Sequence, residues 1–223
     1  MSDFSPMTTA DRAAEMREFF NRKADGYDDV HAKFAYGKAL LSRHLPDGVK
    51  NILDLGAGTG MELIPLFEGH PDVHVTAVDI AEEMLAALAA RPFADKVTII
   101  CGDFFETDFG SGYDAVISTS ALHHFLKEDK ARLYRKIADC LTYKGFFLNC
   151  DEIADDKADE AAMLKAYYDR RGDGHHVDTP LAVSTEIELM ENAGFHNFEV
   201  YEAGKRTYRF IKAQKITFSP DDE

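Results

Sequence analysis

With 223 residues, 45% of them apolar, the chain has the length and composition of a single globular domain with a sizeable core. Its formal net charge of −15, without any run of Lys or Arg, disfavours nucleic acid as a partner. No apolar stretch approaches the ~20 residues that cross a bilayer, and Met1-Ser2-Asp3-Phe4-Ser5 lacks the basic and apolar parts of a secretory leader. The odd count of cysteines, Cys101, Cys140 and Cys150, with no C-x-x-C spacing, predicts buried thiols in a reducing cytoplasm. Asp221-Asp222-Glu223 is expected to be a solvated end.

From the N-terminus, residues 9–23 place Ala13, Met16, Phe19 and Phe20 at helical spacing. Residues 33–44 suggest a second helix before the turn Pro46-Asp47-Gly48. Asn51-Ile52-Leu53 then leads into Asp54-Leu55-Gly56-Ala57-Gly58-Thr59-Gly60, with residues 61–67 following, a strand, a tight turn and a helix. Glycines in such a turn adopt positive φ and let backbone approach a ligand, while the helix start offers unpaired N–H groups. Pro65 predicts a small kink just past that helix's first turn. Asp79 closes the next strand, residues 73–78, where a carboxylate can accept hydrogen bonds from ribose hydroxyls. A nucleoside cofactor is expected. The dinucleotide spacing G-x-G-x-x-G is absent, because Met61 stands where its third glycine would be. Asp54 ahead of the glycines would repel a pyrophosphate and suits a cationic, amino-bearing cofactor.

The alternation of strand and helix continues. Residues 81–91 read as a helix, 97–101 and 113–118 as strands, and 127–141 as a helix, after which Gly145 starts the strand 146–150. Residues 155–170 read as a helix, 171–176 as a polar, glycine-broken loop, and 180–193 as a helix ended by Gly194. Residues 197–202 and 205–215 are two strands joined at Ala203-Gly204, which a short connection forces to run antiparallel. Such a series implies right-handed βαβ units and a largely parallel sheet covered on both faces.

The run from Asp54 to Gly60, Asp79 and the terminal hairpin resemble the class I S-adenosylmethionine-dependent methyltransferases over about residues 51–215. The resemblance implies an α/β fold, a doubly wound, mostly parallel seven-stranded sheet ending in an antiparallel hairpin. It implies one methyltransferase domain, residues 1–223, with a helical cap (1–45), a cofactor core (46–152), a lid segment (153–180) and a C-terminal helix and hairpin (181–223). The implied cofactor is S-adenosyl-L-methionine, with S-adenosyl-L-homocysteine as product. Open α/β sheets bind ligands at the carboxyl ends of their strands. The family pattern there assigns Asp54, Gly56, Gly58 and Gly60 to the cofactor's methionine part, Asp79 to its ribose, and Ile80 to its adenine. Gly102, Asp103 and Phe104 would meet the adenine amino group and ring, and Ser118 and His123 lie in a segment that faces cofactor and substrate.

For catalysis, an imidazole can act as base near neutral pH, and the resemblance makes His124 the preferred one, since similar enzymes often carry their histidine at the later position, with Asp151 and Tyr27 as alternatives set by the acceptor. Tyr27 and Arg22 belong to a segment that would fold over the cofactor. Glu152, beside Asp151, could with it equally cap the next helix, and His175 and His176 read as solvated loop residues. No metal is expected, because sequential histidines diverge and neither H-x-x-x-H nor a carboxylate partner is near in the sequence. The expected function is methyl transfer to a small-molecule acceptor, without nucleic acid or membrane. Alternatives are an RNA or protein methyltransferase, disfavoured by Ser118-Thr119-Ser120-Ala121 where many base-amine enzymes carry an N-P-P-Y-like run, and a non-catalytic S-adenosylmethionine-binding protein. A nicotinamide dehydrogenase is opposed by Met61 and the hairpin. The acceptor atom and the oligomeric state stay open.

Overall fold

Seven runs rich in β-branched and aromatic residues assemble one sheet in the order β3-β2-β1-β4-β5-β7-β6. They are β1 (Asn51–Leu55), β2 (His74–Asp79), β3 (Val97–Cys101), β4 (Tyr113–Thr119), β5 (Leu141–Glu152), β6 (Phe195–Glu202) and β7 (Tyr208–Lys215). The structure is a computed structural model and describes residues 9–170, 178–204 and 207–216. Strands β3, β2, β1, β4 and β5 pair in parallel, and β7 runs antiparallel to both β5 and β6. The sheet is therefore mostly parallel and seven-stranded with an antiparallel hairpin at its end, and the strand order reverses between β1 and β4, opening a crevice there.

Period-2 alternation sends neighbouring residues to opposite faces. Ile52, Val75, Ile117 and Leu148 face one core with Leu40 and Leu41 of α3 (Ala35–His44), Leu63 and Leu66 of α4 (Leu63–Gly69), and Leu85 and Leu88 of α5 (Glu82–Ala89). Leu53, Val116, Phe147 and Ile211 face the other, against Leu133, Tyr134 and Ile137 of α6 (Lys127–Cys140) and Met190 of α8 (Val183–Glu191). α7 (Lys157–Arg170) begins where Asp156 Oδ1 accepts the Ala158 and Asp159 N–H groups.

Several local expectations change. α1 is Thr9–Lys23, as its spacing implies, and the helix expected over residues 33–44 is α3, Ala35–His44; a short helix, α2 (Tyr27–His31), and a tight turn, Ala32–Phe34, precede it. Gly26, at φ 73, makes the corner between α1 and α2. Because α4 starts only at Leu63, Pro65 falls inside its first turn, where its missing N–H would have no helical partner, so the predicted kink has no cause. β5 begins at Leu141 and not after Gly145, since the β-prone run Leu141-Thr142-Tyr143 pairs with Tyr113 before a register shift. Cys140 and Cys150 are buried, but Cys101 is exposed, because it ends β3 at the edge of the sheet. The loop predicted over 171–176 and the acidic tail lie outside the described residues. Among the described residues, no helix is long and apolar enough to cross a membrane.

Candidate active site

The glycine turn stands at the carboxyl end of β1, where its shape is set by positions a side chain cannot occupy. Gly56 (φ 80) has Ala121 so close that an added Cβ would lie 2.4 Å from the Ala121 Cβ. Gly60 (φ 74) would meet Leu88 Cδ1 at 2.4 Å. Both conformations are left-handed, and L side chains resist them. The turn is tied to β2: Gly56 N donates to Val78 O (2.8 Å), and Asp79 Oδ2 accepts from Gly58 N (2.8 Å). Asp79 Oδ1 accepts from Ala81 N (2.9 Å), so this carboxylate also braces the start of α5.

The turn opens on a cavity of about 920 Å³, counting its mouth. Of the residues the sequence singles out, Gly56, Gly58, Asp79, Ile80, Gly102, Asp103, Phe104, His124 and Tyr27 line it. Asp54, Gly60, Ser118, His123 and Asp151 do not. Ser118 is fully buried and its hydroxyl donates to Leu55 O (2.7 Å), leaving Thr119, Ser120 and Ala121 at the wall. Arg22 is exposed and pairs with Glu18 on its own helix, one turn away. The α1 residues Ala13, Met16 and Phe20 line the cavity too, so their helical spacing marks a wall of the site as well as a packing face.

Sequence reasoning missed a buried polar group behind the turn. Lys38 Nζ of α3 donates to Glu62 Oε2 (2.8 Å) and to Thr119 Oγ1 (3.1 Å), and Thr119 Oγ1 donates to Glu62 Oε2 (3.1 Å). Nothing in the pattern of a single helix and a single turn signals that these two lie together. Both oxygens of Asp54, and Oε1 of Glu62, are buried with no hydrogen-bond donor. Burial, then the facing Glu62, pushes the Asp54 carboxyl well above the usual carboxylate range. Asp79 is likewise raised, chiefly by burial. Buried acceptors that lack donors fit a ligand that brings N–H donors and positive charge.

The cap is latched over this group. Asp28 of α2 accepts from Thr59 Oγ1 (2.6 Å) and pairs with Arg91, whose Nε donates to Thr59 O (2.9 Å). The Asn21 side chain of α1 accepts from Glu83 N at the start of α5 (3.1 Å). This places the Tyr27 ring against His31, centroids 3.7 Å apart, with Phe20 at its edge. Burial, then Glu62, Asp79 and Asp28, drives the Tyr27 phenol well above its ordinary pKa.

At the end of β4, Ser120 adopts φ 52, a strained turn position for a residue with a side chain, and its hydroxyl bonds Tyr208. The tight turn Leu122–His124 follows. Asp151 fixes it: Oδ2 accepts from Leu122 N (2.8 Å) and His123 N (3.0 Å), and Oδ1 holds His123 Nδ1 (2.5 Å). Burial alone would lower the His123 pKa, but Asp151 and then Asp178 more than reverse it, to about 9. The two imidazoles do not diverge, since their centroids are 3.9 Å apart, and a carboxylate partner does arrive: Asp178 Oδ1 lies 2.8 Å from His124 Nδ1. Neither Asp151 nor Glu152 caps α7; Glu152 instead accepts from the Tyr167 and Thr207 hydroxyls. His175 and His176 lie outside the described residues.

The fold and this donor-poor, acid-rich cradle define a nucleoside-binding α/β protein built for a cationic ligand. A family model described as a methyltransferase domain matches residues 52–145. Carboxy-S-adenosyl-L-methionine synthase of Nautilia profundicola is 31% identical over 178 residues, 72% of this chain and 75% of that protein. The 3-hydroxy-5-methyl-1-naphthoate 3-O-methyltransferase of Streptomyces sahachiroi is 30% identical over 112 residues, 49% of this chain and 32% of that enzyme. Human N-acetylserotonin methyltransferase, solved with S-adenosylmethionine, shares the fold with a TM-score of 0.66 at 21% identity, over 94% of this chain and 57% of that one. The chain belongs to the class I S-adenosylmethionine-dependent methyltransferase family, and S-adenosylmethionine is its cofactor.

Proposed function

We propose that the chain methylates a small-molecule acceptor, with Glu62 and the glycine turn holding the cofactor's methionine end, Asp54 adding negative charge from behind them, Asp79 holding its ribose, and Ile80, Asp103 and Phe104 its adenine. The observation that carries this reading is the His124 imidazole on the wall of the same cavity, beside Phe20 (ring centroids 5.5 Å apart) and backed at Nδ1 by Asp178. Bound S-adenosylmethionine supplies a methyl group already activated on sulfur. What remains for the chain is to align an acceptor, keep water out and take up a proton. Alignment alone is worth up to ~7–11 kcal/mol. Phe20, Tyr27 and Phe125 supply apolar and aromatic walls suited to a small organic acceptor. With Nδ1–H directed at Asp178, His124 would take the acceptor's proton at Nε2. Tyr27, whose phenol is held protonated, serves as a hydrogen-bond donor rather than a base. Asp151 acts on His123 and on the turn, so its role is positional.

The test is methyl transfer from labelled cofactor to phenols, amines, thiols, carboxylates and RNA, with the fate of the cofactor followed by mass spectrometry. Label in a small acceptor supports the reading, and label in RNA overturns it. A carboxylated cofactor would also overturn it, in favour of the activity named for the Nautilia relative. His124→Gln should lower turnover by ~10²–10⁴-fold with cofactor affinity unchanged; an equally active variant removes His124 as the base.

A further inference from the structure

The geometry points to a divalent transition-metal site formed by His123, His124 and Asp178, with His124 on the cavity wall. Successive side chains on a regular helix or strand point apart, but the short turn Leu122–His124, followed by extended Phe125 (φ −101, ψ 143), turns both imidazoles the same way. Asp178, which leads into α8, reaches back to them: its Oδ1 is 2.8 Å from His124 Nδ1 and 3.7 Å from His123 Nε2. One ligand atom from each of the three lies within 4.8 Å of the others. Ligand atoms bonded at about 2.0–2.1 Å around a tetrahedral ion stand roughly 3.3 Å apart, between the two separations to Asp178; the two imidazole nitrogens, within 4.8 Å of each other, would close on the ion by side-chain rotation.

A second feature of the site is independent of that convergence. Metal-binding histidines usually donate their other ring nitrogen to a carboxylate, which fixes ring and tautomer. His123 does so: with Nε2 toward Asp178, its Nδ1 is held by the buried Asp151, whose other oxygen fixes the turn itself. The turn is anchored again from the Asp178 side, where Thr179 N and Oγ1 donate to His123 O and Phe125 O. The ligands thus stand on a braced frame rather than on a loose loop.

Two imidazoles and one carboxylate suit zinc and its neighbours in the first transition row, whereas magnesium and calcium prefer all-oxygen sets. Three protein ligands leave coordination positions open, which is the pattern of reactive rather than purely structural sites. His124 lines the cofactor cavity, so those positions would be reached from where an acceptor enters. An acceptor oxygen held there would lose its proton to solvent more readily, as water does on zinc. In the loaded form this replaces proton uptake by His124. The proposal goes beyond the methyl-transfer reading and does not rest on it, because binding is measured without turnover.

The experiment uses the whole chain without a polyhistidine tag, stripped with a chelator and titrated with Co²⁺ by visible absorption and with Zn²⁺ by calorimetry. The expected result is one ion per chain, with ligand-field bands of a four- or five-coordinate site. Asp178→Asn and His124→Gln should each weaken binding at least tenfold, while His196→Gln, on exposed β6, leaves it unchanged. Asp178→Glu, which keeps the carboxylate, should retain the ion with shifted bands, separating loss of a ligand from loss of fold, and a normal cofactor titration checks each variant. No uptake by the parent chain, or equal uptake by the Asp178→Asn and His124→Gln variants, overturns the site. A bound ion with no methyl transfer to any acceptor would instead count against the function proposed above.

Discussion

Replacing Lys38 with Met removes the cation that the described residues set against the buried carboxylates behind the glycine turn. The Lys38–Glu62 pair is 2.8 Å apart with side chains 8% and 2% exposed, so solvent cannot compensate the charge left behind. Breaking one side of such a pair costs about 3–5 kcal/mol. For a domain of this size each kcal/mol lowers the melting temperature by roughly 2–4 °C, so Lys38→Met should melt roughly 6–20 °C lower in a scanning fluorimetry or calorimetry trace. Replacing both partners by apolar residues is often close to neutral, and it also relieves Asp54, whose proton affinity Glu62 raises. The double variant Lys38→Met/Glu62→Leu should therefore recover most of the loss while binding the cofactor more weakly. The single variant should gain more thermal protection from S-adenosylmethionine than the parent does, since the cofactor's ammonium group restores a positive charge. A Lys38→Met protein melting with the parent, or a double variant no more stable than the single, would refute the charge argument.

Gly56→Ala should cost about 2–4 kcal/mol, from its left-handed φ and its contact with Ala121. Gly58→Ala, whose Cβ would meet nothing nearer than Gly56 O at 4.0 Å, should cost about 1–2 kcal/mol; equal urea midpoints for the two would contradict the packing account. Asp79→Ala should weaken cofactor binding by ~1–3 kcal/mol in calorimetry, and it should also lower stability by ~1–3 kcal/mol, because the Gly58 and Ala81 N–H groups lose their acceptor. Asp54 and Asp79 are both raised, and the proposed function calls on their ionised forms, so their contribution to affinity should be complete once pH exceeds those raised values. It should fall on acidification from above the ordinary carboxylate range. Affinity that rises toward acid would reverse that sign. A thiol reagent near neutral pH should label the exposed Cys101 first, since burial pushes the Cys140 thiol up to about 12 and Cys150 higher still. Mass spectrometry finding Cys140 or Cys150 modified before unfolding would contradict it.

Much of the frame is legible in the residues because the signals are local. The helical stripe of α1, the apolar alternation of β1–β4 and the glycine turn each depend on neighbours within about one turn or one strand. The cavity wall was readable for the same reason: Gly56, Gly58, Asp79, Ile80 and Asp103 follow directly from strand ends. What could not be read is pairing across long separations. Lys38 and Glu62 are 24 residues apart and Asp178 is 54 residues from His124, and no periodicity joins them. Asp151 misleads for a related reason. A carboxylate at a strand end is available either to a ligand or to backbone N–H groups, and the competing turn at Leu122–His124 takes it. Cys101 shows the limit of composition: an apolar strand predicts burial only if both faces are covered, and edge position is a property of the assembled sheet.

The charge balance at the glycine turn explains why this cradle takes a sulfonium nucleoside and not a dinucleotide, even though both use a turn between strand and helix. Asp54, Glu62 and Asp79 cluster there, and Lys38 is the cation that the described residues set against them. At an effective dielectric constant of ~20, a unit charge brought within ~4 Å of a carboxylate gains or loses about 4 kcal/mol. A pyrophosphate would meet that penalty at the point where dinucleotide folds offer it bare N–H groups. Here Gly58 N, one such group, is already committed to Asp79, so the turn withholds a donor from an anion while leaving acceptors without donors for a cation. The same glycine geometry is thus turned to the opposite charge by the acids around it.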